Sequence, residues 1–328
     1  MTSSGWFAPE AGEVAPTSLD ALRARRFVIT GPTGWIGAAA LAWLRRALGE
    51  EGFRRQVKAF GSSAREITVE GEPFTVRALG DLRPADVEGA IVYHLAYLTR
   101  DKIGGISDAD YVARNLAIDD AVFYAIEAGR PAGLFVASSG AAREVERGGS
   151  KDFYGLLKLA QEERAQKFGQ RTRTPVFVGR IFNIAGPYVN KHNLYALASF
   201  VSQALDTGEI RIEASIPVYR SYVHVLDMIA VIAATLVGGD APSEAVDISG
   251  QEVLEMQDIA EGAARAVGLN FDVVRRAELR YDAKSLYLGD SWPFRTLALR
   301  SGLRPRSFAQ QAVDTAVYLR ALREDALA

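Results

Sequence analysis

The sequence contains no cysteine and only three histidines among its 328 residues. Disulfides, thiolate metal sites and cysteine nucleophiles are therefore excluded. The histidines stand at positions 94, 192 and 224, so no two of them have the spacing of a metal-binding pair. We expect no metal site.

Long apolar runs and an excess of one charge sign are also missing. No stretch reaches the roughly twenty apolar residues that span a bilayer, and the first 22 residues contain no signal-peptide core. The formal net charge is −2, whereas non-specific nucleic-acid binding requires a basic surface. We therefore expect a cytoplasmic protein that contacts neither membranes nor nucleic acid.

Short apolar segments alternate with helical patterns over the first half of the chain. This alternation is typical of right-handed crossover units, which build a parallel sheet with helices on both faces. Strands are predicted at residues 27–29, 57–60, 74–79, 91–95, 134–137 and 176–184, and helices at 38–48, 111–128 and 153–168. The segments 61–65 and 140–152 are predicted as loops.

The alternation loosens beyond residue 186. Helices are predicted at residues 194–205, 225–236, 256–267 and 308–322, and strands at 210–212 and 246–248. Residues 1–24 are predicted as an N-terminal extension, in which Thr17 to Asp20 can cap a short helix. We assign residues 25–185 to a dinucleotide-binding domain and 186–328 mainly to a smaller α/β substrate-binding domain, with some segments returning to the first sheet.

A glycine-rich turn follows the first strand and opens the next helix. Three glycines spaced three apart allow a sharp turn, a close approach of backbone to phosphate and close packing of helix on strand. The helix N-terminus adds N–H groups and a partial positive charge for a pyrophosphate. The turn thus predicts a dinucleotide site at Gly31, Thr33, Gly34, Trp35, Ile36 and Gly37. The alternative is an ordinary turn that merely requires glycine.

The residues after the second strand bear on which dinucleotide is bound. A carboxylate there favours NAD, because it accepts a hydrogen bond from the ribose 2′-hydroxyl and repels a 2′-phosphate. Ser62, Ser63 and Arg65 stand in its place, and two hydroxyls with an arginine can bind a phosphate. We expect NADP, with NAD as the alternative. It is also an alternative that Arg65 lies in a solvated loop and binds no phosphate.

Tyr154 and Lys158 lie four residues apart, so both share one face of a predicted helix. A fixed cation favours the phenolate and brings the pKa of tyrosine, ordinarily about 10, towards neutral pH. Tyr154 can then exchange a proton with a carbonyl oxygen. Ser139 ends the preceding strand and can hold that carbonyl, or Ser138 if the strand is offset by one residue.

Together these residues resemble the extended short-chain dehydrogenase/reductase family, of the epimerase/dehydratase type, over residues 25–322. Tyr154-x-x-x-Lys158 is similar to the catalytic pair of that family. Gly80-Asp81-Leu82 resembles its adenine-contacting segment, and His94-Leu95-Ala96 the strand end beside the nicotinamide ribose. Asn115 falls where the family has an asparagine that supports a proton relay. The implied fold is a doubly wound Rossmann sheet with a smaller C-terminal domain.

The second half carries two further similarities, R-x-x-N-x-x-G-P at residues 180–187 and R-x-[FY]-[IV]-H-V-x-D at 220–227. Relatives with these segments mostly act on nucleotide sugars, and the resemblance implies that Asn183 and Arg220 contact the substrate diphosphate. A salt bridge to Asp227 is the alternative for Arg220. The resemblance also implies that Tyr154 is the acid/base and that Lys158 binds the nicotinamide ribose. Ser139 would polarise the carbonyl.

The resemblance leaves several functions open. We expect a nucleotide-sugar 4-keto reductase; an epimerase with retained NAD needs the same residues. A non-sugar ketone or alcohol as substrate, or a non-catalytic dinucleotide-binding protein, are further alternatives. Gly140-Ala141 replaces the Asp-Glu pair of the 4,6-dehydratases, which argues against that reaction. Tyr97 stands where many relatives have alanine. A homodimer through the helix that carries Tyr154 is expected.

Overall fold

The computed structural model describes residues 16–99 and 104–327. Within them, one compact unit comprises residues 16–99, 104–181 and 229–247, and a second comprises residues 182–228 and 248–327. We call these the N-terminal unit and the C-terminal unit. Residues 1–15 of the predicted extension lie outside the described residues.

The helices and strands are numbered in chain order. The strands are β1 (Arg26–Thr30), β2 (Val57–Gly61), β3 (Arg65–Val69), β4 (Glu72–Ala78), β5 (Ala90–His94), β6 (Gly133–Ser139), β7 (Val176–Ile181), β8 (Ile184–Ala185), β9 (Ile210–Ile212), β10 (Val218–Arg220), β11 (Val223–His224), β12 (Val246–Ile248), β13 (Leu254–Glu255), β14 (Val274–Arg276) and β15 (Ser285–Leu286). The α-helices are α1 (Pro16–Arg23), α2 (Trp35–Gln56), α3 (Pro84–Val87), α4 (Asp108–Gly129), α5 (Gly140–Glu146), α6 (Phe153–Thr172), α7 (Ala196–Thr207), α8 (Val225–Gly238), α9 (Met256–Ala266), α10 (Ser291–Arg300) and α11 (Phe308–Leu327).

The N-terminal unit is built around an eight-stranded sheet with the order β12-β7-β6-β5-β1-β2-β4-β3. In this sheet the pairs β4–β2, β2–β1, β1–β5, β5–β6 and β6–β7 are parallel, and the β3–β4 pair is antiparallel. The predicted Rossmann-like α/β fold with a mostly parallel sheet is confirmed.

Register explains why the central strands are continuous apolar runs. One row of paired residues crosses four strands, Val28, Val92, Leu134 and Val176, and all four lie in one buried core. Helices α4 and α6 cover this face with Phe123, Ile126, Ala165 and Phe168. The central strands are thus buried under helices, which favours Val and Leu at successive positions.

The hairpin partner β3 was not predicted, and its first residue lies at the end of the predicted loop 61–65. Most residues of this edge strand are exposed and only Val69 is buried, so the strand has no apolar run. The tight turn that joins it to β4 places Glu70 and Gly71 at φ values of 51° and 84°. Such paired positive φ angles are typical of two-residue hairpin turns.

Helix α5 was predicted as a loop. Its sequence is charged, and it buries only Gly140 and Ala142, so it shows little helical periodicity. Strand β7 ends at Ile181 rather than continuing to 184, and β8 instead pairs with β11.

In the C-terminal unit, helices α7, α9 and α11 pack against one another. Three small sheets accompany them: β13-β10-β15, β11-β8 and β14-β9. Over the described ranges, no helix is long and apolar enough to cross a membrane.

Candidate functional site

The glycine turn lies between β1 and α2, and two of its glycines are required by the fold itself. Gly31 has a φ of +70°, and a Cβ added to it would lie 2.8 Å from the carbonyl oxygen of Leu95. A Cβ on Gly37 would lie 2.2 Å from the carbonyl oxygen of Gly31. Any larger residue at 31 or 37 therefore forces the backbone apart.

Gly34 is different, because none of the described residues requires a glycine there. Its φ is −78°, and a Cβ would meet only the carbonyl oxygen of Gly31, at 3.5 Å. No side chain caps α2 at this position. The missing side chain leaves the first turn of the helix approachable, as pyrophosphate binding requires. The turn fits a dinucleotide, and its other predicted contacts are Thr33, Trp35 and Ile36.

Thr30 ties this turn to the end of β5. Its Oγ1 accepts hydrogen bonds from the backbone N–H groups of Leu95 and Ala96, both at 3.0 Å. The two predicted ribose-side residues are thereby fixed against the glycine turn. Thr30 was not predicted to have a role, although its position as the last residue of β1 is a signal for one.

Ser62, Ser63 and Arg65 meet beyond the carboxyl end of β2. The Arg65 guanidinium donates to both serine hydroxyls at 3.1 Å. All three residues are exposed, and no carboxylate of the described chain forms an ion pair with Arg65. The cluster is therefore an assembled cation with two hydroxyls, without an anion of its own.

The predicted adenine-contacting residues follow β4. Asp81 ends a short 3₁₀ helix and is exposed, whereas Leu82 is buried in the core under α4 and α6. Leu82 thus has a packing role in the fold.

Lys158 is buried on α6, with 5% of its surface exposed. Its Nζ donates to the carbonyl oxygen of Ala137 at 2.8 Å and to Oε1 of Gln161 at 3.0 Å. Burial lowers the pKa of Lys158 to about 8, and the negative charges of Asp119 and Glu162 oppose that fall.

Tyr154 is half-buried one turn before Lys158, near the start of α6. Asp152 caps this helix by accepting from the N–H of Gly155 at 3.3 Å. A Cβ on Gly155 would lie 2.7 Å from the carbonyl oxygen of Ala141. Close packing of α5 against α6 therefore fixes the segment that presents the tyrosine.

Tyr97 lies against both members of this pair. Its ring centroid is 3.8 Å from Nζ of Lys158 and 5.6 Å from the ring of Tyr154, in an edge-on arrangement. A cation over an aromatic face is attracted by the ring. Burial raises the pKa of Tyr97 well above that of a free tyrosine, so its phenol stays protonated. The sequence marked Tyr97 only as a departure from the family.

The two serines at the end of β6 have different surroundings. Ser138 donates to Oε1 of Glu162, which is also bound by Arg180 through Nε at 3.0 Å. Ser139 is the N-cap of α5 and accepts from the N–H of Ala141 at 3.2 Å. Because successive strand residues face opposite sides, Ser138 is the one of the two serines that faces the buried Glu162–Arg180 ion pair.

Asn115 is buried on α4 and holds the segment after β5. Its Oδ1 accepts from the N–H of Leu98 at 2.9 Å, and its Nδ2 donates to the carbonyl oxygen of Tyr111 at 3.2 Å. None of its hydrogen bonds with described residues reaches Lys158.

Asn183 and Arg220 belong to the C-terminal unit. Asn183 donates to the carbonyl oxygen of Ser221 at 3.2 Å. The Arg220 guanidinium donates to the carbonyl oxygen of Tyr219 at 2.8 Å, and burial lowers its pKa. No described carboxylate pairs with Arg220, and Asp227 binds Arg306 instead. The alternative of an Arg220–Asp227 salt bridge is therefore wrong.

A protein metal site needs several acidic or imidazole side chains close together. Across residues 16–99 and 104–327, no three Asp, Glu or His side chains are grouped so that they could hold a metal ion.

The sequence pattern of the NAD dependent epimerase/dehydratase family matches residues 27–248. The chain belongs to this family. No curated protein sequence matches the chain. The family assignment agrees with the resemblance that the glycine turn and the Tyr154–Lys158 pair carry.

Solved structures with the epimerase/dehydratase fold cover most of the chain. A double mutant of DesIV, the dTDP-glucose 4,6-dehydratase of Streptomyces venezuelae, with NAD and DAU bound, is 21% identical with a TM-score of 0.65 and covers 91% of this chain and 98% of its own. Epimerase Mth375 of Methanothermobacter thermautotrophicus is 18% identical with a TM-score of 0.70, over 94% and 97%. The UDP-N-acetylglucosamine 4-epimerase of Methanobrevibacter ruminantium M1, in complex with UDP-N-acetylmuramic acid, is 16% identical with a TM-score of 0.70, over 91% and 99%. At these identities the likeness shows the shared fold.

Proposed function

We propose that this protein transfers hydride at a sugar carbon of a nucleoside-diphosphate sugar, with a nicotinamide dinucleotide as the hydride carrier. The observation that carries the proposal is in the N-terminal unit. There the glycine turn follows β1, Ser139 ends β6, and α6 presents Tyr154 beside Lys158. Ligands of open α/β sheets bind at the carboxyl ends of such strands. The sugar nucleotides in related folds support the substrate class.

The residues proposed to hold the dinucleotide include the glycine turn. When bound, the dinucleotide supplies or accepts the hydride. The backbone around Gly34 is proposed to bind its pyrophosphate, and Lys158 a ribose hydroxyl. The remaining proposed contacts are Gly31, Thr33, Trp35, Ile36, Gly37, Ser62, Ser63, Arg65, Asp81, Leu82, Leu95, Ala96 and Tyr154.

Tyr154 is proposed to give its proton to the carbonyl oxygen of the sugar, or to take it back in the reverse direction. The ammonium of Lys158 favours the phenolate that remains, because an opposite charge nearby stabilises the ionised phenol. Ser139 is proposed to donate a hydrogen bond to the same oxygen. We prefer Ser139 to Ser138, since the Ser138 hydroxyl is already donated to Glu162.

Asn183 and Arg220 are proposed to contact the diphosphate. Arg220 supports this by its electrostatics: it is half-buried, burial lowers its pKa, and no described carboxylate neutralises it. A partly desolvated arginine of this kind gains most from a charge-assisted bond to phosphate.

Two specific reactions are compatible with these residues. The cluster of Ser62, Ser63 and Arg65 favours a 2′-phosphate, and hence a keto-sugar reductase that consumes NADPH. The family and the NAD bound to the DesIV structure favour an epimerase that retains NAD. A 4,6-dehydratase is disfavoured, because α5 begins with Gly140 and Ala141 where an acid and a base would be needed. The homodimer stays a prediction.

The first experiment identifies the dinucleotide by mass spectrometry of the denatured purified protein. Retained NAD supports the epimerase. An empty protein that prefers NADPH in titration supports the reductase, and keto-sugar nucleotides are then screened for turnover.

The second experiment replaces Tyr154 with phenylalanine. We expect turnover to fall by about 10²–10⁴-fold, the contribution of a positioned acid or base, with dinucleotide affinity nearly unchanged. Tyr124→Phe is the matched control, because Tyr124 is 69% exposed on α4. Unchanged turnover in Tyr154→Phe would contradict the proposed mechanism.

A further inference from the structure

Lys158 is next to a buried network of polar side chains that the proposed mechanism does not use. The network consists of His94 on β5, Asp119 on α4 and Gln161 on α6. All three are buried, with exposures of 1%, 6% and 2%. Buried polar groups of this kind are retained only when their hydrogen bonds are satisfied.

The hydrogen bonds of this network lead from Lys158 through Gln161 to Asp119. Nζ of Lys158 donates to Oε1 of Gln161 at 3.0 Å, and the amide nitrogen of Gln161 donates to Oδ1 of Asp119 at 2.6 Å. Nε2 of His94 lies 2.8 Å from the same oxygen. Nδ1 of His94 lies 3.3 Å from Oγ1 of Thr30. Nε2 of His94 also lies 3.1 Å from the amide nitrogen of Gln161, and the Thr30 hydroxyl has a second acceptor in the carbonyl oxygen of Tyr93 at 3.3 Å.

The two carboxylates near Lys158 have different partners. Arg180 binds both oxygens of Glu162 and also pairs with Glu146. Among the described residues, the hydrogen-bond partners of Asp119 are the Gln161 amide and the His94 imidazole. The ammonium of Lys158 is one amide group away from this buried carboxylate and can therefore balance its charge.

We propose that Asp119 and Gln161 are positioning residues for Lys158: the carboxylate balances the buried ammonium, and the amide connects the two through hydrogen bonds. The inference rests on the proposed function in that Lys158 there binds the ribose and favours the phenolate of Tyr154. Asn115, which the family resemblance implied for the relay, is occupied by backbone groups of residues 98 and 111.

Electrostatics support this assignment. Burial works against ionisation of Asp119, but the hydrogen bond and the electrostatic interaction with His94, followed by the positive charge of Lys158, outweigh it and lower the pKa of Asp119. In return, the charge of Asp119 opposes the fall in the pKa of Lys158 that burial causes. The other titratable or charged groups around the ammonium are His94 and Tyr97 on β5 and the segment after it, Tyr111 on α4, Tyr154 and Glu162 on α6, and Arg180 on β7.

The test measures the titration of Lys158 directly, in protein labelled with [ε-¹³C]lysine. The chain has seven lysines, so the spectrum is simple, and the Lys158 resonance is the one missing from Lys158→Arg. We expect Asp119→Asn to lower the titration midpoint of Lys158 by about one pH unit or more, the effect of losing a nearby opposite charge.

Asp120→Asn is the matched control. It removes the same charge from the next residue of α4, but Asp120 is exposed and paired with Arg164 at the surface. Its Lys158 midpoint should equal that of the wild type. Gln161→Leu is the second variant, used also if Asp119→Asn fails to fold; it too should lower the midpoint. An unchanged midpoint in the folded Asp119→Asn or Gln161→Leu protein would overturn the inference.

Dinucleotide binding separates this inference from the proposed function. In the wild type, we expect NADPH or NADH affinity to fall as Lys158 loses its proton, and in Asp119→Asn this fall should move to lower pH. Absence of any dinucleotide binding would contradict the proposed function, while the NMR midpoints would still decide the role of Asp119. Binding that follows the same pH curve in both proteins would count against the inference alone.

Discussion

Substituting alanine at two glycines of one turn should separate folding from binding. Gly37→Ala places a Cβ 2.2 Å from the carbonyl oxygen of Gly31 and 2.8 Å from Cα of Pro32, both backbone atoms. Gly34→Ala places a Cβ no closer than 3.5 Å to any atom it would meet. The first substitution therefore opposes the fold, and the second only fills the space proposed for a pyrophosphate.

The magnitudes follow from these distances. A contact of 2.2 Å forces backbone to shift, and overpacking of this kind costs about 3 kcal/mol. Replacing glycine with alanine within a helix stabilises the folded state by about 1 kcal/mol. Gly37→Ala should thus lose about 2 kcal/mol of unfolding free energy, given these two terms. Gly34→Ala changes only an N-cap and should lose less than about 1 kcal/mol.

The assay pairs urea unfolding with dinucleotide titration. Gly34→Ala should unfold close to the wild type yet bind the dinucleotide at least tenfold more weakly, a loss of about 1.4 kcal/mol. Gly37→Ala should show a lower unfolding midpoint even without ligand. Wild-type affinity in the folded Gly34→Ala protein would refute the assignment of this turn to a pyrophosphate.

Three further predictions concern other parts of the chain. Arg65→Ala should lower the affinity for NADPH about tenfold relative to NADH in paired titrations, since it removes the cation proposed for a 2′-phosphate; an unaltered ratio would argue for NAD. Ser138→Ala should cost about 1–2 kcal/mol in urea unfolding, because buried Glu162 loses a donor, and equal stability would contradict that bond. Burial opposes ionisation of Glu255, but its hydrogen bonds, led by Arg276, outweigh it and lower its pKa from 4.5 to about 2. Its stabilisation is therefore complete above about pH 4.5 and lost as pH falls through about 2, so unfolding of Glu255→Gln should depend less on pH in that window, and an identical pH dependence would exclude it.

Much of the fold could be predicted because apolar strands and glycine turns leave local signals. The parallel strands of the N-terminal unit are continuous apolar runs, and their helices follow with regular spacing. Strand β3 gave no such signal, because an edge strand with one buried residue needs few apolar side chains. Helix α5 was missed for the same reason, since its seven residues bury only two.

The candidate site was predicted in part. The pairing of Tyr154 with Lys158 follows from a spacing of four residues on one helix. The contribution of Asp119 and Gln161 does not, because it depends on how α4 and α6 pack over β5. Tyr97 shows the same limit: its sequence position marks it as unusual, but only the packed structure brings its ring 3.8 Å from the Lys158 ammonium.

The decisive experiment is titration of the purified protein, first freed of any retained dinucleotide, with NADPH and NADH, followed by ligand fluorescence. We predict saturable binding of at least one dinucleotide, weakened in Gly34→Ala and retained in Tyr154→Phe. If neither dinucleotide bound the folded wild-type protein, the proposed oxidoreductase function would be wrong.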